Sequence, residues 1–157
     1  MFELHSNLEV QRYCEAPATH PDQVRAYIAS LREQYRANGI GRWLVSLKST
    51  GEALGWAGLK VERNVNGRAS FVDLGYRILP AYWNKGYMTE AARALVQYGF
   101  ERVGCERICG YVVKGHEASA KVLQKAGLRF VEDFWYTDEE QDEWYEITKE
   151  QYFTAKM

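Results

Sequence analysis

The stretch at residues 77–101, RILPAYWNKGYMTEAARALVQYGFE, constrains the fold more than any other part of the chain. A strand-like run stops at Pro80, an Asn-Lys-Gly turn follows, and a helical pattern begins at Tyr87. The first turn of a helix has unpaired N–H groups and a partial positive charge. Gly86 has no side chain to obstruct a ligand there, and Lys85 adds a cation. The pattern predicts an anion site, with an ordinary strand-to-helix turn as the open alternative.

Such a site at the start of a helix suits a phosphate group. The usual phosphate motifs do not fit this stretch. The chain has no G-x-x-x-x-G-K-[ST] and no G-x-G-x-x-G after a strand-like run. A P-loop and a dinucleotide-binding fold are therefore poorly supported.

The rest of the chain predicts how this turn is supported. A helix over THPDQVRAYIASLREQYRANG is capped by Thr19 and ends at Gly39. RWLVSLK and ALGWAGLKVE form a strand hairpin around STGE, and SFVDLGYRIL adds a third strand. After the long helix come a strand, a short helix and two further strands. This order predicts a mixed α/β sheet covered by helices, in a single domain over residues 1–157.

Composition excludes several classes of protein. No apolar run approaches the ~20 residues that span a bilayer, and the N-terminus does not resemble a secretory signal. The three cysteines have no metal-ligand spacing, so we expect reduced thiols in a cytoplasmic protein without a metal. The aromatic residues are not interleaved with a basic stripe, which argues against nucleic-acid binding.

Three segments together resemble a known family: LGYRILPAYW, NKGYMTEA and the later S-x-x-VLQKAGL. From about Arg42 to Tyr152 the chain is similar to the GNAT acetyltransferase superfamily, and most similar to its RimJ/RimL-like branch. The resemblance implies a mostly antiparallel central sheet flanked by helices, acetyl-CoA as co-substrate, and direct attack of a primary amine on the thioester. By this match Ile78 and Leu79 offer backbone groups to pantetheine. The implied pyrophosphate cradle consists of Asn84, Lys85, Gly86, Tyr87, Met88 and Thr89.

The resemblance also points to candidate catalytic residues. The helix that usually begins Asn-x-x-Ser reads His116-Glu-Ala-Ser119 here. By the match Ser119 protonates the leaving thiolate, and a helix-capping serine is the open alternative. His116 departs from the pattern. It is either a general base that also contacts coenzyme A or a surface residue at a helix start. Asp73 lies on the strand where many members have a carboxylate, and is either a base or a strand-edge polar residue. A backbone N–H near Leu79 is the expected oxyanion donor.

An acidic block suggests the acceptor. Residues 130–148 contain eight acidic residues and no Lys or Arg. A solvated acidic turn is one interpretation. If this hairpin borders the acceptor entrance, as the resemblance implies, its charge attracts a cationic amine such as a peptide N-terminus, a polyamine or an aminoglycoside.

The front of the chain is short relative to the family. We expect the first edge strand and part of the first helix to be missing, which exposes the edge of the RWLVSLK strand and favours a homodimer. A competing hypothesis of another class is a GNAT-like module that binds acyl-CoA without transferring the acetyl group.

Overall fold

The computed structural model describes residues 1–14 and 16–157 and confirms the mixed fold. The helices are α1 (Phe2–Ser6), α2 (Leu8–Gln11), α3 (Pro21–Asn38), α4 (Tyr87–Tyr98), α5 (Glu117–Lys125) and α6 (Lys149–Thr154). The strands are β1 (Arg42–Ser46), β2 (Ala53–Glu62), β3 (Phe71–Ile78), β4 (Arg107–Val113), β5 (Arg129–Trp135) and β6 (Gln141–Thr148). A short 3₁₀ turn at Pro80–Tyr82 and a π-helical turn at Gly99–Val103 complete the regular structure of the described residues.

The six strands form one sheet in the order β1-β2-β3-β4-β6-β5. Every neighbouring pair is antiparallel except β3 and β4, which are parallel. The predicted hairpin of β1 and β2 and the third strand are confirmed. β1 lies at one edge of the sheet, as expected for the RWLVSLK segment, and β5 lies at the other.

The two faces of the sheet are covered differently. The first face, which carries Leu74, Ile108 and Tyr145, packs against α4 and α5 in the main core. Strand alternation places Asp73, Tyr111 and Trp144 on the second face. Helices α1 to α3 cover the β1–β3 part of this second face, with Leu4 and Val10 against Trp56. Around Trp144 the second face carries an aromatic cluster instead.

Helix α3 starts one residue later than the predicted cap implied. The cap is His20, whose ring nitrogen accepts from the N–H of Asp22, while the N–H of His20 donates to Gln23 Oε1 at 3.0 Å. Thr19 was therefore the wrong cap. The predicted end is confirmed, because Gly39 adopts a left-handed conformation (φ 71°) and its N–H reaches the Tyr35 carbonyl.

Among the described residues, no helix combines the length and the apolar character that crossing a bilayer requires. Within the same residues, no three His, Cys, Asp or Glu side chains group as metal ligands would. Cys105 and Cys109 are buried thiols, and Cys14 is exposed, with its Sγ donating to the Val10 carbonyl at 3.7 Å.

Candidate active site

The sheet opens into a V between its two parallel strands. β3 and β4 are paired at one position, Asp73 opposite Cys109, and diverge beyond it. Past this point β3 remains paired to β2 as far as Ile78, and β4 remains paired to β6 as far as Val113. Because each strand follows its outer neighbour, backbone groups on the inner sides of the V are left for a ligand.

The glycine turn lies where β3 ends and α4 begins. Asn84 (φ 60°) and Gly86 (φ 83°) both have left-handed conformations, which bend the chain sharply before Tyr87. No described side chain caps the start of α4, and a β-carbon placed on Gly86 would meet nothing within 4 Å. The predicted anion site is therefore open in geometry, with Lys85 exposed beside it.

The remaining predicted cradle residues differ in what they offer. Met88 is buried in the core, so only its backbone N–H faces the helix start. Tyr87 and Thr89 are half-buried. Lys85 Nζ lies 5.5 Å from the ring centre of Tyr82, and this contact holds the cation near the turn.

The hydrogen bonds at the end of β3 decide which backbone N–H can be the oxyanion donor. The N–H of Leu79 donates to the Leu54 carbonyl at 2.9 Å, so it is already used in the sheet. Because successive N–H groups of a strand point to opposite sides, the N–H of Ile78 points away from β2 and toward the V. Ile78, not Leu79, is the residue at the strand end whose amide faces the gap.

Trp83 takes up the hydrogen-bond acceptor next to this amide, which is the carbonyl of Ile78. Its indole Nε1–H donates to the Ile78 carbonyl at 2.9 Å, while the indole itself is partly exposed. A chain lying along β3 therefore meets a carbonyl that already has a donor. This contact could not be predicted from the sequence, because it depends on the 3₁₀ turn that brings Trp83 back to the strand.

Ser119 contacts a tyrosine of β3. The Tyr76 hydroxyl donates to the Ser119 carbonyl at 2.8 Å and lies 3.1 Å from Ser119 Oγ. Burial raises the pKa of Tyr76, so its hydroxyl keeps its proton at neutral pH. Since His116 and not Ser119 is the N-cap of α5, the helix-capping alternative for Ser119 loses support.

His116 is half-buried at the start of α5. Its ring stacks on Tyr13 of the N-terminal segment, with centroids 4.2 Å apart and an interplanar angle of 16°. Burial lowers the pKa of His116 below its usual range, so the imidazole is neutral at pH 7. The structure thus brings a neutral imidazole to the end of β4, beside the V, and argues against a freely solvated histidine.

Asp73 is held in a buried ion pair. It is 5% exposed and pairs through Oδ2 with Arg42 Nη2, while Arg42 Nη1 donates to the Asp73 carbonyl at 3.1 Å. The guanidinium also lies over the ring of Trp56, 5.3 Å from its centre. Because Arg42 already pairs with the carboxylate and compensates its charge, Asp73 is a weak attractor for an ammonium group. This geometry favours a structural role over the predicted base.

The acidic block is not a uniform acidic surface. Four of the eight carboxylates have partners: Glu132 with Arg68, Asp133 with Lys114, Glu146 with Arg107, and Glu143 with the hydroxyl of Tyr145. Asp138 and Glu139 are exposed in the β5–β6 turn, and Glu140 is half-buried there. The attractive charge of the block is therefore smaller than its sequence suggests.

Asp142 is the member of this block that sequence reasoning did not distinguish. It is 3% exposed, and no described residue forms a hydrogen bond with its Oδ1. Burial, with a smaller contribution from Glu140, raises the pKa of Asp142 to about 6. Asp142 and Trp144 are two residues apart on β6, so strand alternation places both side chains on one face of the sheet. This spacing was a signal in the sequence that could have set Asp142 apart from the turn carboxylates.

Comparison with known proteins identifies the domain. A family profile described as the acetyltransferase (GNAT) domain matches residues 1–129. The uncharacterized N-acetyltransferase YoaA of Bacillus subtilis is 30% identical over 130 residues, which cover 82% of this chain and 72% of that protein. The FsC-acetyl coenzyme A-N(2)-transacetylase of Aspergillus fumigatus is 29% identical over 123 residues, covering 76% and 52%. The chain thus spans about half to seven tenths of the length of these curated relatives.

A solved structure shares the fold. Spermidine N-acetyltransferase from Vibrio cholerae, in complex with CoA and spermine, superposes with a TM-score of 0.76 at 16% identity. The alignment covers 97% of this chain and 87% of that one. At this identity the match establishes the architecture of sheet and helices.

Proposed function

Because the chain belongs to the GNAT acetyltransferase family, we propose that it transfers the acetyl group of acetyl-CoA to a primary amine, and that this amine is cationic. The observation that carries the proposal is the uncapped start of α4 behind Gly86, at the open end of the V. The resemblance to the RimJ/RimL-like branch and the cytoplasmic location stay predictions from the sequence.

The residues of the glycine turn fit a diphosphate. The left-handed Gly86 leaves free space where a side chain would stand, and the amides of Tyr87, Met88 and Thr89 open the helix. In this proposal Asn84 and Lys85 complete the cradle, and the amide of Ile78 pairs with the pantetheine arm or the thioester oxygen.

The reaction needs a base, an oxyanion donor and an acid. The cationic amine first gives one proton to a base, which makes its nitrogen nucleophilic. The nitrogen then forms a bond to the acetyl carbon, the carbon–sulfur bond breaks, and the nitrogen loses its second proton as the leaving thiolate gains one. We assign the acid to Ser119, whose hydroxyl gives its proton to the leaving thiolate. Its contact with Tyr76 at 3.1 Å fixes the serine rotamer, so that the hydroxyl faces a constant direction.

Of the two predicted bases, His116 fits better than Asp73. The imidazole is neutral and lies at the end of β4, whereas Asp73 is committed to Arg42. The stack on Tyr13 orients the ring. The same position lets His116 contact coenzyme A, as the resemblance implies.

Coenzyme binding tests the premise of the proposal. Gly86→Asp places a carboxylate against the helix N–H groups, where it caps the helix and repels a diphosphate. Gly104→Asp is the matched control, since Gly104 (φ 80°) is also left-handed with nothing within 4 Å, but follows the turn at Gly99–Val103. By calorimetry we expect Gly86→Asp to weaken CoA binding by about tenfold or more, and Gly104→Asp to leave it unchanged. Equal affinities in both variants would overturn the assignment.

An acetyl-transfer screen separates the enzyme from the binding module. Acetyl-CoA consumption is followed with peptides, polyamines and aminoglycosides as acceptors, for the wild type and for Gly86→Asp. Turnover that Gly86→Asp abolishes supports the transferase. Coenzyme binding without turnover across the panel supports the non-catalytic acyl-CoA module.

We also propose that β1 pairs with a second copy of the chain. β1 is an edge strand, and its Leu44 and Trp43 are 60% and 40% exposed. Leu44→Lys should weaken association in sedimentation equilibrium, while Leu8→Lys on α2, also at an exposed leucine, should not. A wild-type protein that is monomeric at every concentration refutes this pairing.

A further inference from the structure

A cavity of about 430 Å³ lies on the second face of the sheet, between the β2–β3 turn and the end of β5. Four aromatic side chains line it, together with Glu62 and the residues that follow Glu62 in the turn. These aromatic residues are Tyr111, Phe134, Trp135 and Tyr136. Its size is in the range of small-ligand sites.

The aromatic side chains that line the cavity pack against one another, which fixes their orientation. Tyr111 stacks on Tyr136 at 5.7 Å and on Trp144 at 6.0 Å, with interplanar angles of 25° and 3°. Phe134 meets Tyr136 edge-on at 6.5 Å. Trp135 is 66% exposed and forms an outer wall. Stacked rings present their electron-rich faces in fixed directions, and such faces attract cations.

Asp142 is buried behind these walls on the same face of the sheet, next to Phe134, and is not itself one of the residues that line the cavity. It is opposite Phe134 on β5 and opposite Val113 on β4, and its charge acts on the Tyr136 hydroxyl. The buried Oδ1 accepts no hydrogen bond from any described residue. A buried carboxylate oxygen without a donor is costly, so a group that brings N–H donors and a positive charge is favoured at this point.

The charged side chains nearby do not meet this need. Lys114 is paired with Asp133, Arg68 with Glu132, and Lys60 with Glu62. Arg63 is exposed and lines the cavity, and no bond joins it to Asp142 among the described contacts. Glu140 adds a further negative charge close to Asp142.

The cavity also adjoins the point where the V closes. Tyr111 is two residues beyond Cys109, which pairs with Asp73 at the vertex. A thioester that reaches the vertex along β3 and an amine that enters from the second face would meet there. Val113 links Asp142 to His116, because Val113 lies opposite Asp142 and its carbonyl accepts a hydrogen bond from the N–H of His116 at 2.9 Å.

We infer that this cavity is the acceptor site, that it takes an aliphatic primary ammonium group, and that the negative charge of Asp142 behind Phe134 attracts the ammonium while the aromatic rings enclose the adjoining methylene groups. The inference rests on the proposed transferase and names its acceptor class. Asp142 is thereby a specificity-determining residue, distinct from the exposed turn carboxylates Asp138 and Glu139.

Direct binding tests the site without turnover. n-Butylammonium is titrated against the full chain in the presence of CoA, and binding is followed by tryptophan fluorescence, to which Trp135 at the outer wall contributes with the other four tryptophans. Neutral n-butanol is the matched ligand control. We expect saturable binding of n-butylammonium, a loss of about tenfold or more in Asp142→Asn, and less than twofold in Asp138→Asn. Butanol that binds as well as butylammonium, or equal losses in the two variants, overturns the inference.

A second variant, Tyr136→Leu, keeps the inference testable if Asp142→Asn does not fold. Thermal unfolding is recorded for Asp142→Asn, and Tyr136→Leu removes one ring while leaving the carboxylate. Tyr136→Leu should weaken n-butylammonium binding several-fold by loss of the cation–π contact. Unchanged affinity in Tyr136→Leu counts against the aromatic enclosure even if Asp142→Asn is unstable.

Kinetics separates this inference from the transferase proposal. With an aliphatic amine acceptor, Asp142→Asn should raise the KM for the amine far more than it lowers kcat, while CoA affinity stays constant. If the wild type binds no CoA, or Gly86→Asp binds it as tightly as the wild type does, while n-butylammonium still binds through Asp142, the transferase fails and the cation site stands. If acetyl transfer proceeds with a KM that Asp142→Asn leaves unchanged, the transferase stands and the site fails.

Discussion

Two buried aspartates lie on the second face of the same sheet, and they differ in whether another side chain compensates their charge. Asp73 is 5% exposed, and Arg42 pairs with its carboxylate and bonds its carbonyl. Asp142 is 3% exposed, and its Oδ1 has no donor among the described residues. Asp73 pairs across the sheet with β2, against which α3 packs, whereas Asp142 lies opposite Phe134, a residue that lines an open cavity.

The difference teaches how burial relates to role in this protein. A buried charge with a matched partner links β1 to β3 and contributes to the fold. A buried charge without one is a local cost that persists where a ligand supplies the partner. The residue that the family resemblance favoured as a base is the paired one, and the unpaired one was hidden within an acidic run.

The largest expected effect comes from removing the partner of Asp73. Arg42→Met leaves a buried charge unpaired and should lower the free energy of unfolding by about 3–5 kcal/mol in guanidinium titrations. The double variant Arg42→Met, Asp73→Leu should recover most of this loss, since an apolar pair needs no charge compensation. A single variant within about 1 kcal/mol of wild type would show that the pair is not structural.

Removing the charge of Asp142 should raise the free energy of unfolding, in contrast to the loss expected for Arg42→Met. Burial raises the pKa of Asp142 to about 6 from its ordinary value of 3.8. The unfolded chain therefore releases this proton at lower pH than the folded one, and the charged carboxylate destabilises the fold increasingly from about pH 4 to 6. Asp142→Asn should add roughly 1–3 kcal/mol to stability at pH 8 and almost nothing at pH 3. Chemical denaturation at both pH values checks this, and lower stability at pH 8 would contradict it.

His116 offers a third environment, with burial and an aromatic stack in place of an ion pair. Burial lowers its pKa from 6.5, so the folded chain binds this proton less readily than the unfolded one. The stabilising contribution is present above pH 6.5 and is lost as the pH falls below it. His116→Asn should flatten the decline of thermal stability below pH 6.5. An identical slope in wild type and variant would show that burial does not control this histidine.

The smallest effects are expected at the β5–β6 turn. Asp138 and Glu139 are exposed, so Asp138→Asn and Glu139→Gln should each change stability by less than about 0.5 kcal/mol. The KM for a cationic acceptor should rise slightly at low salt and hardly at all near 0.15 M, because exposed charges are screened. A large, salt-independent rise in KM would assign the acceptor to the turn and break the contrast with Asp142.

Local signals in the sequence carried much of the fold. Proline at residue 80, glycines at turns and the change from alternating to helical periodicity located β1 to β3 and α4 correctly. The cap of α3 was missed because threonine is the commoner capping residue, whereas His20 fills this position with a ring nitrogen.

The sequence by itself determined the strand, turn and helix around Gly86, since left-handed glycine, helix start and proline stop are properties of neighbouring residues. Only the tertiary structure decided which carboxylates are paired and which amides are used. Asp73 and Arg42 are 31 residues apart, and the cationic partners of the acidic run, Arg68, Arg107 and Lys114, all lie outside that run. Charge compensation and desolvation depend on distance in space, and chain order does not encode that distance locally.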